Sequence, residues 1–226
     1  MQRFILCVAA LIVLVGIGQT NAAVTTYNAR QDFSGTSNPN GQWSYGWSYS
    51  LGGSMNVYPD YTIDYRGFYG WRDDSLYPSD DIPHVTQADD VFGWPVGPDE
   101  LIFHPGWNEE YSIIRWTAPA DGTADVTAEF AGAHFGTTAV FVHRNTDMLF
   151  DAVLPGYAVA PPYNSALSVQ AGDTIDFAVG MLGNAAGTTT AVSAIIDFSP
   201  VPEPSTILIW SLLGIIGIAY GWRRRR

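Results

Sequence analysis

A period-two alternation of side chains is the feature that most constrains the fold of this chain. In residues 43–50 every odd position is Trp or Tyr, and every even position is Ser or Gly. A β-strand places successive side chains on opposite faces, whereas a helix would spread these rings around its axis. The stretch therefore predicts a strand with one aromatic face and one small face. We favour burial of the aromatic face in a core, with a sugar-binding platform as the alternative interpretation.

A similar rhythm recurs from Tyr111 onward. In residues 124–130 we expect Val126, Ala128 and Phe130 to point inward and the intervening polar side chains to face solvent. Turn-forming residues separate such segments, and the body shows no amphipathic helix pattern. We predict strands over residues 112–117, 124–130, 138–143, 148–153, 165–169, 174–179 and 189–198.

Two longer-range expectations follow from the turn signals. The Ala-Gly-Asp turn at 171–173 predicts that strands 165–169 and 174–179 form a hairpin. The segment 52–106 is broken repeatedly by Pro and Gly, so we expect loops and short strands laid over one side of the fold. The pattern as a whole predicts an all-β body, a single β-sandwich.

The last 26 residues have a different character. Val201, Pro202, Glu203 and Pro204 precede an apolar run over 206–222, and the chain ends in Arg223, Arg224, Arg225 and Arg226. As a helix the run would measure about 25 Å, close to the hydrocarbon thickness of a bilayer. By the positive-inside rule the arginines keep the C-terminus in the cytoplasm. We therefore predict a C-terminal transmembrane helix and an exported body.

This tail resembles the PEP-CTERM sorting signal of Gram-negative bacteria. The resemblance rests on the Pro-Glu-Pro motif, the length of the apolar run and the basic end, all within 201–226. It implies recognition by exosortase, a membrane-embedded cysteine peptidase or transpeptidase, and release or transfer of the mature protein to the surface. An ordinary single-pass anchor with a Pro-containing stalk is the alternative.

The N-terminus predicts a signal peptide over 1–22. Arg3 supplies the positive charge, residues 4–17 are apolar, and Thr20 and Ala22 suit signal peptidase. The expected organisation is a signal peptide (1–22), a β-sandwich domain (23–200) and a sorting signal (201–226). The precursor is then held in the inner membrane, and the mature domain lies at the cell surface or outside the cell.

Charge and cysteine content exclude several classes of function. The single cysteine, Cys7, lies in the signal segment, so the body holds no disulfide and no thiol nucleophile. Five of the ten basic residues, all arginines, and 21 of the 22 acidic residues fall within 23–200. So acidic a body repels nucleic acid, and we expect no nucleic-acid partner.

A second resemblance covers most of the body. Residues 38–41 with Trp43, 104–106, 115–119 with Gly122, and 171–180 look like a jelly-roll module of exported bacterial proteins, similar in shape to carbohydrate-binding modules. The quoted residues are turn and core positions, so the resemblance implies a jelly-roll-like fold more than a function.

Aromatic side chains outside the 43–50 strand are the candidate glycan-binding residues, because flat rings stack on the apolar faces of sugars. These candidates are Trp71, Trp94, Trp107 and Tyr69, and we expect Trp71 and Trp94 to lie in loops. Acidic pairs in the irregular segment are candidate ligands for a structural Ca²⁺, with solvated charge as the favoured interpretation. They include Asp80, Asp81, Asp89 and Asp90. We expect no cofactor otherwise.

No catalytic motif is present: the sequence lacks Gly-x-Ser-x-Gly and His-Glu-x-x-His. We therefore expect a non-enzymatic surface or matrix module associated with exopolysaccharide. Its partners would be signal peptidase and exosortase during processing, the inner membrane, and extracellular polysaccharide. One alternative is a glycan-active enzyme that uses paired loop carboxylates, with Glu100, Glu109, Glu110 and Glu129 as first candidates. Another is a structural module whose partner is a protein.

Overall fold

A computed structural model describes residues 23–63, 68–78, 82–87, 100–201, 213–214, 216–217 and 220–224. Val24–Pro200 forms one compact unit with its own hydrophobic core. The signal-peptide prediction (1–22) and most of the predicted transmembrane helix lie outside the described residues, while the described tail residues 213–214, 216–217 and 220–224 are helical. Among the residues described, no helix has the length and apolar character needed to cross a bilayer.

The described part of the body is built from strands, which confirms the all-β prediction. Their bounds are β1 Thr25–Asn28, β2 Trp43–Ser48, β3 Asn56–Val57, β4 Asp60–Ile63, β5 Tyr69–Arg72, β6 His84–Thr86, β7 Leu101–His104, β8 Tyr111–Thr117, β9 Gly122–Gly132, β10 Thr137–Arg144, β11 Asp147–Pro155, β12 Tyr163–Val169, β13 Thr174–Met181 and β14 Thr190–Pro200.

These strands form two antiparallel sheets around one core. The eight-stranded sheet has the order β12-β9-β14-β7-β6-β5-β4, and β1 also pairs with β14. The six-stranded sheet has the order β11-β10-β13-β8-β2-β3. Rings from both sheets meet in the core, for example Trp116 of β8 and Phe198 of β14 with centroids 5.7 Å apart. The predicted strands after Tyr111 are all present, with Val126, Ala128 and Phe130 buried.

The predicted hairpin between β12 and β13 is wrong. β12 pairs with β9 in the eight-stranded sheet, whereas β13 lies between β10 and β8 in the six-stranded sheet. The 170–173 turn therefore carries the chain from one sheet to the other. A turn signal indicates a reversal of the chain but does not choose the strand's partner. The burial pattern agrees, because β12 alternates between faces while β13 is buried on both.

The 52–106 segment also differs from expectation. Its strands β4, β5, β6 and β7 do not lie over a finished sandwich, because they are four of the eight strands of the larger sheet. The hydrogen-bond ladder runs from β14 through β7 to β4, so these short strands continue the main sheet.

The aromatic face of β2 points into the core, as the favoured interpretation predicted. Trp43, Tyr45 and Trp47 are buried, and Trp43 donates its indole N–H to Asp32 Oδ2 at 3.1 Å. Burying rings of this size is strongly favourable. The ring centroids of Trp43 and Phe177, which belongs to β13, lie 6.3 Å apart. Tyr49, the fourth ring, lies one residue beyond β2 and is exposed.

The opposite face of the six-stranded sheet is covered as well. Asp176 is buried there and accepts two hydrogen bonds from Arg115, at 2.6 and 2.7 Å. Arg115 also donates to the Gly53 carbonyl at 2.9 Å, so the loop after β2 lies over this ion pair. Both faces of the central strands are therefore enclosed, which explains why Ser44 and Ser48 of β2 are buried.

Short connections between the sheets give the sandwich two distinct ends. At the termini end, β14 finishes at Pro200, and Thr25 of β1 pairs with Phe198. Loops 118–121, 145–146 and 170–173 lie at this end. Loops 105–110, 133–136, 156–162 and 182–189 lie at the opposite end, which we call the distal end.

Candidate functional site

Trp71 does not lie in a loop, so its predicted placement is wrong. It belongs to β5, pairs with Val85 of β6, and points into the core, where it is buried. Its indole N–H donates to the Ser34 carbonyl at 2.7 Å. The reason is that β5 is an internal strand of the sheet, so alternate side chains on it must face the second sheet.

Tyr69 is the outward end of an aromatic row that begins in the core. It is 53% exposed and stacks on Tyr61, with centroids 5.8 Å apart and an interplanar angle of 22°. Tyr61 in turn packs against Trp71, with ring centroids 5.2 Å apart. Burial first, and the neighbouring Tyr69 second, raise the pKa of Tyr61. Its hydroxyl therefore stays protonated, and Tyr69 presents a supported ring to solvent.

Trp107 lies at the distal end in the loop between β7 and β8, and is 40% exposed. The loop is closed by a hydrogen bond from the Gly106 amide to the Glu110 carbonyl at 2.9 Å. A Cβ on residue 106 would collide with the Glu110 carboxylate, so only glycine fits this close approach. The loop thus fixes the backbone on both sides of the indole.

A buried carboxylate, Glu110, organises the polar groups of the loop that carries this indole. The Oε1 atom of Glu110 accepts a hydrogen bond from the Tyr77 hydroxyl at 2.9 Å, and Oε2 accepts one from the backbone amide of Asn108 at 2.8 Å. Asn108 Nδ2 donates to the Tyr77 hydroxyl oxygen. We call Tyr49, Tyr77, Trp107, Asn108 and Glu110 the Glu110 cluster.

The electrostatics of the Glu110 cluster keep its phenols protonated. Burial and the hydrogen bond to Glu110 raise the pKa of Tyr77 to about 12. Partial desolvation, followed by the charge of Glu110, also raises the pKa of Tyr49. An exposed indole therefore lies in a loop held by hydroxyl and amide groups. This is the combination of apolar face and polar groups that a sugar ring requires.

Sequence reasoning proposed Trp107 but missed Tyr49, Tyr77 and Asn108 as its neighbours. The only local signal was Asn108 beside Trp107; the other residues meet through the fold. Glu110 was considered as a catalytic acid, and in the structure both of its oxygens accept hydrogen bonds from the protein itself. Glu129, another of the acids considered, lies on the exposed face of β9.

Several proposed residues lie outside the described residues. They are Trp94, Asp80, Asp81, Asp89, Asp90, Pro202, Glu203, Pro204, Arg225 and Arg226. Of the sorting residues that are described, Val201 is exposed directly after β14, and Arg223 and Arg224 are helical. Within the described parts of the chain, no group of three or more His, Cys, Asp or Glu side chains is arranged to hold a metal ion.

Comparison with protein families identifies the tail. Residues 200–226 match the PEP-CTERM protein-sorting motif. This match confirms the resemblance inferred from Val201 to Arg226, and it indicates an exported protein that is targeted to exosortase through a membrane-anchored precursor. No curated protein matches the chain by sequence.

Solved structures align only distantly. The Stig cyclase Fisc from Fischerella sp. TAU is 6% identical over 80% of this chain and 100% of its own, with a TM-score of 0.42. The GH26-CBM35 β-(1,4)-mannanase of Podospora anserina is 11% identical over 54% of this chain and 26% of its own, with a TM-score of 0.33. A CBM36 carbohydrate-binding module in complex with calcium and xylotriose is 15% identical over 51% of this chain and 87% of its own, with a TM-score of 0.28. Neither ligand nor activity follows from likenesses this low.

Proposed function

We propose that this protein is an exported, exosortase-processed module of the cell surface or extracellular matrix, and that it binds polysaccharide without cleaving it. The observation that carries the binding proposal is the exposed Trp107 indole in the loop held by the Glu110 cluster. A flat ring in a loop that also carries amide groups and bonds a tyrosine hydroxyl suits the apolar face and the hydroxyls of a sugar.

Export is supported by the sorting motif at 200–226. The four terminal arginines favour a cytoplasmic C-terminus in the precursor, with the sandwich on the outer side of the inner membrane. Signal peptidase and exosortase are the processing partners in this proposal. The mature domain then reaches the surface, where extracellular polysaccharide is the available ligand class.

The charge of the body narrows the class of polysaccharide. Residues 23–200 contain 21 acidic residues and only five arginines, so the body is strongly negative and would repel an anionic glycan. We therefore propose neutral polysaccharide as the ligand. Non-catalytic binding is favoured because both oxygens of Glu110, the buried carboxylate nearest Trp107 in the sequence, already serve the protein's own hydrogen bonds. Release of reducing ends from any glycan would replace this proposal with the enzymatic alternative.

Affinity electrophoresis of Val24–Pro200 tests the proposal, with gels that contain neutral polysaccharides and, as a charge control, an acidic one. We expect at least one neutral polysaccharide to retard the protein. Trp107→Ala should weaken that retardation by about tenfold, equivalent to about 1.4 kcal/mol. Tyr157→Ala is the matched control, because Tyr157 is also exposed at the distal end but outside the Glu110 cluster. Unchanged mobility on every gel, or equal effects of the two variants, would reject the proposal.

Tyr69 offers a second exposed ring and is tested in the same assay. If Tyr69→Ala abolishes retardation while Trp107→Ala has no effect, the ligand lies on the aromatic row of Tyr61 and Tyr69. That result would retain polysaccharide binding but reject the Glu110 cluster as its site.

A further inference from the structure

Three loops at the distal end stand apart from the rest of this acidic chain. Residues 133–136, 156–162 and 182–188 contain no Asp, Glu, Lys or Arg. We call them together the neutral loop cluster. Surface loops ordinarily carry charged side chains, and this protein has 22 acidic residues. Three charge-free loops in such a molecule call for a physical explanation, and they contrast with loop 105–110 at the same end, where Glu109 is exposed.

The neutral loop cluster also exposes large apolar side chains. The exposed fractions are 66% for Phe135, 59% for Tyr157, 71% for Val159 and 49% for Leu182. Together these side chains present on the order of 400 Å² to solvent. Apolar patches of this size on a monomer commonly mark interaction sites.

Backbone hydrogen bonds tie the three loops to one another. The Gly136 amide donates to the Gly187 carbonyl at 2.7 Å, and the Gly156 amide donates to the Gly136 carbonyl at 2.9 Å. The Gly132 amide donates to the Ala158 carbonyl at 2.9 Å. The side chains of Tyr157, Val159 and Leu182 take no part in these hydrogen bonds. The Phe135 ring adds a contact of its own, because it lies 4.5 Å from the His134 ring, centroid to centroid, and close to Gly187. A surface formed in advance loses little conformational entropy when a partner binds.

We propose that the neutral loop cluster is a self-association surface, on which the same cluster of a second copy docks end to end. Two acidic bodies repel each other, so a stable contact between copies must avoid burying carboxylates. The neutral loop cluster meets this condition. A two-fold contact uses one patch twice and needs no complementary surface elsewhere.

Other occupants fit the surface less well. An anionic membrane would be repelled by the acidic body. A sugar would use ring faces beside polar donors, whereas Val159 and Leu182 offer aliphatic surface only. End-to-end docking also keeps Asp121, Asp147 and Asp173 of the two copies apart, because these residues lie near the termini end. The exposed Glu109 of the distal end belongs to loop 105–110 and must lie outside the contact. The dimer therefore places its two termini ends at its far extremities.

The size of the patch sets the expected strength. Two such patches would bury on the order of 800 Å², below the roughly 1,200–2,000 Å² of a stable specific interface. We therefore expect a weak, reversible dimer that is populated only at high local concentration, as between two facing surfaces that each carry many copies. Added salt should strengthen the dimer, because it screens the repulsion between the bodies while leaving the apolar contact intact.

Sedimentation equilibrium of Val24–Pro200 up to about 1 mM tests this proposal, since a contact of this size is expected to be weaker than micromolar. We expect a monomer–dimer equilibrium that shifts toward dimer as sodium chloride is raised. Val159→Asp and, separately, Tyr157→Ser should each weaken association at least tenfold. Val153→Asp is the matched control, because Val153 is also exposed, at 58% against 71% for Val159, but lies on β11 outside the neutral loop cluster.

Thermal unfolding distinguishes loss of the contact from loss of the fold, because all three substitutions replace exposed side chains and should leave the transition unchanged. A monomer at every concentration and salt level would overturn the proposal. So would equal weakening by Val153→Asp and Val159→Asp. Binding to phosphatidylcholine vesicles or retardation by a polysaccharide, lost in Val159→Asp while the wild type stays monomeric, would assign the surface to lipid or glycan instead. Trp107→Ala should leave association unchanged, so this proposal and the glycan-binding proposal fail separately.

Discussion

The two ends of the sandwich hold their loops by different chemistry. At the termini end, side chains bind the turns together: Asn145 Nδ2 donates to Asp173 Oδ1 at 2.9 Å, and Asn145 Oδ1 accepts a hydrogen bond from the Thr174 amide at 2.9 Å. Asp121 Oδ1 accepts a hydrogen bond from the Ala171 amide across to the next turn. In the neutral loop cluster, the ties between loops run from backbone to backbone.

This difference separates residues that stabilise the fold from residues that are available for binding. The polar side chains at the termini end are engaged by the protein itself, so changing them should affect stability. The side chains of Tyr157 and Val159 take no part in the hydrogen bonds that hold their loop, so changing them should affect interactions. The distal end also carries the Glu110 cluster, where the buried Glu110 has the structural role and the exposed Trp107 is free for a ligand.

The largest expected effect contrasts one glycine from each end. Gly132 of β9 lies directly against the Gly156 carbonyl, and a Cβ there would collide with that backbone. Gly132→Ala should therefore force the 156–162 loop away and lower the free energy of unfolding by about 3 kcal/mol. Gly172 at the termini end has a φ of +87° and open space around it, so Gly172→Ala should cost only about 1 kcal/mol of backbone strain.

Urea unfolding of the two variants measures this contrast. Equal losses of unfolding free energy in the two variants would mean that the neutral loop cluster deforms at little cost. Its backbone hydrogen bonds would then not fix its shape. That result would also weaken the argument that the apolar surface is formed before a partner arrives.

The second prediction removes a side-chain tie at the termini end. Asn145 has a φ of 50°, and its amide group holds both Asp173 and the start of β13. Asn145→Ala loses three side-chain hydrogen bonds and keeps the unfavourable φ, so the free energy of unfolding should fall by about 2 kcal/mol. Asn145→Gly removes the same bonds but relieves the strain, which makes it the matched control.

Thermal and urea unfolding should therefore rank wild type above Asn145→Gly, and Asn145→Gly above Asn145→Ala. If both variants unfold like the wild type, the termini end does not depend on its side chains, and the contrast between the ends disappears.

Local patterns allowed much of the fold to be predicted. Alternation in β2 and β9 reports which face is buried, because the side-chain period of a strand is a property of the backbone itself. Strand pairing cannot be read from local alternation in the same way. β13 pairs with β8 and β10, and not with its sequence neighbour β12, because pairing depends on packing across the whole core. For the same reason, the sequence did not reveal that β5 is internal to the sheet or that Trp71 is buried.

The candidate sites were predicted less completely than the fold. Trp107 was proposed from its residue type alone, but Tyr49 and Tyr77 reach Glu110 through loops that are far apart in sequence. The neutral loop cluster had a visible sequence signal, because 156–162 and 182–188 lack charge and contain glycine. That signal became meaningful only once the topology placed both segments at one end of the sandwich.

The smallest expected effect is a pH dependence at the termini end. The Gln170 amide first, and the Asn145 side chain second, lower the pKa of Asp173 below its ordinary value of 3.8. Since the folded-state pKa is the lower one, the ionised carboxylate contributes stability above pH 3.8, and this contribution is lost as the pH falls through the folded-state value. Asp173→Asn should lower the free energy of unfolding by less than about 1 kcal/mol at pH 7, because solvent screens this half-exposed group.

Urea unfolding of wild type and Asp173→Asn at pH 7, 5 and 3 measures the difference between them. The difference should be constant from pH 7 to 5 and smaller at pH 3, where the wild-type carboxyl begins to take up its proton. The other acidic residues are common to both proteins and cancel in this comparison, so a difference that stays the same at all three pH values would show that the Asp173 charge does not hold the turn. By contrast, Val159→Ser at the distal end removes no ionisable group, and its stability relative to wild type should not vary with pH.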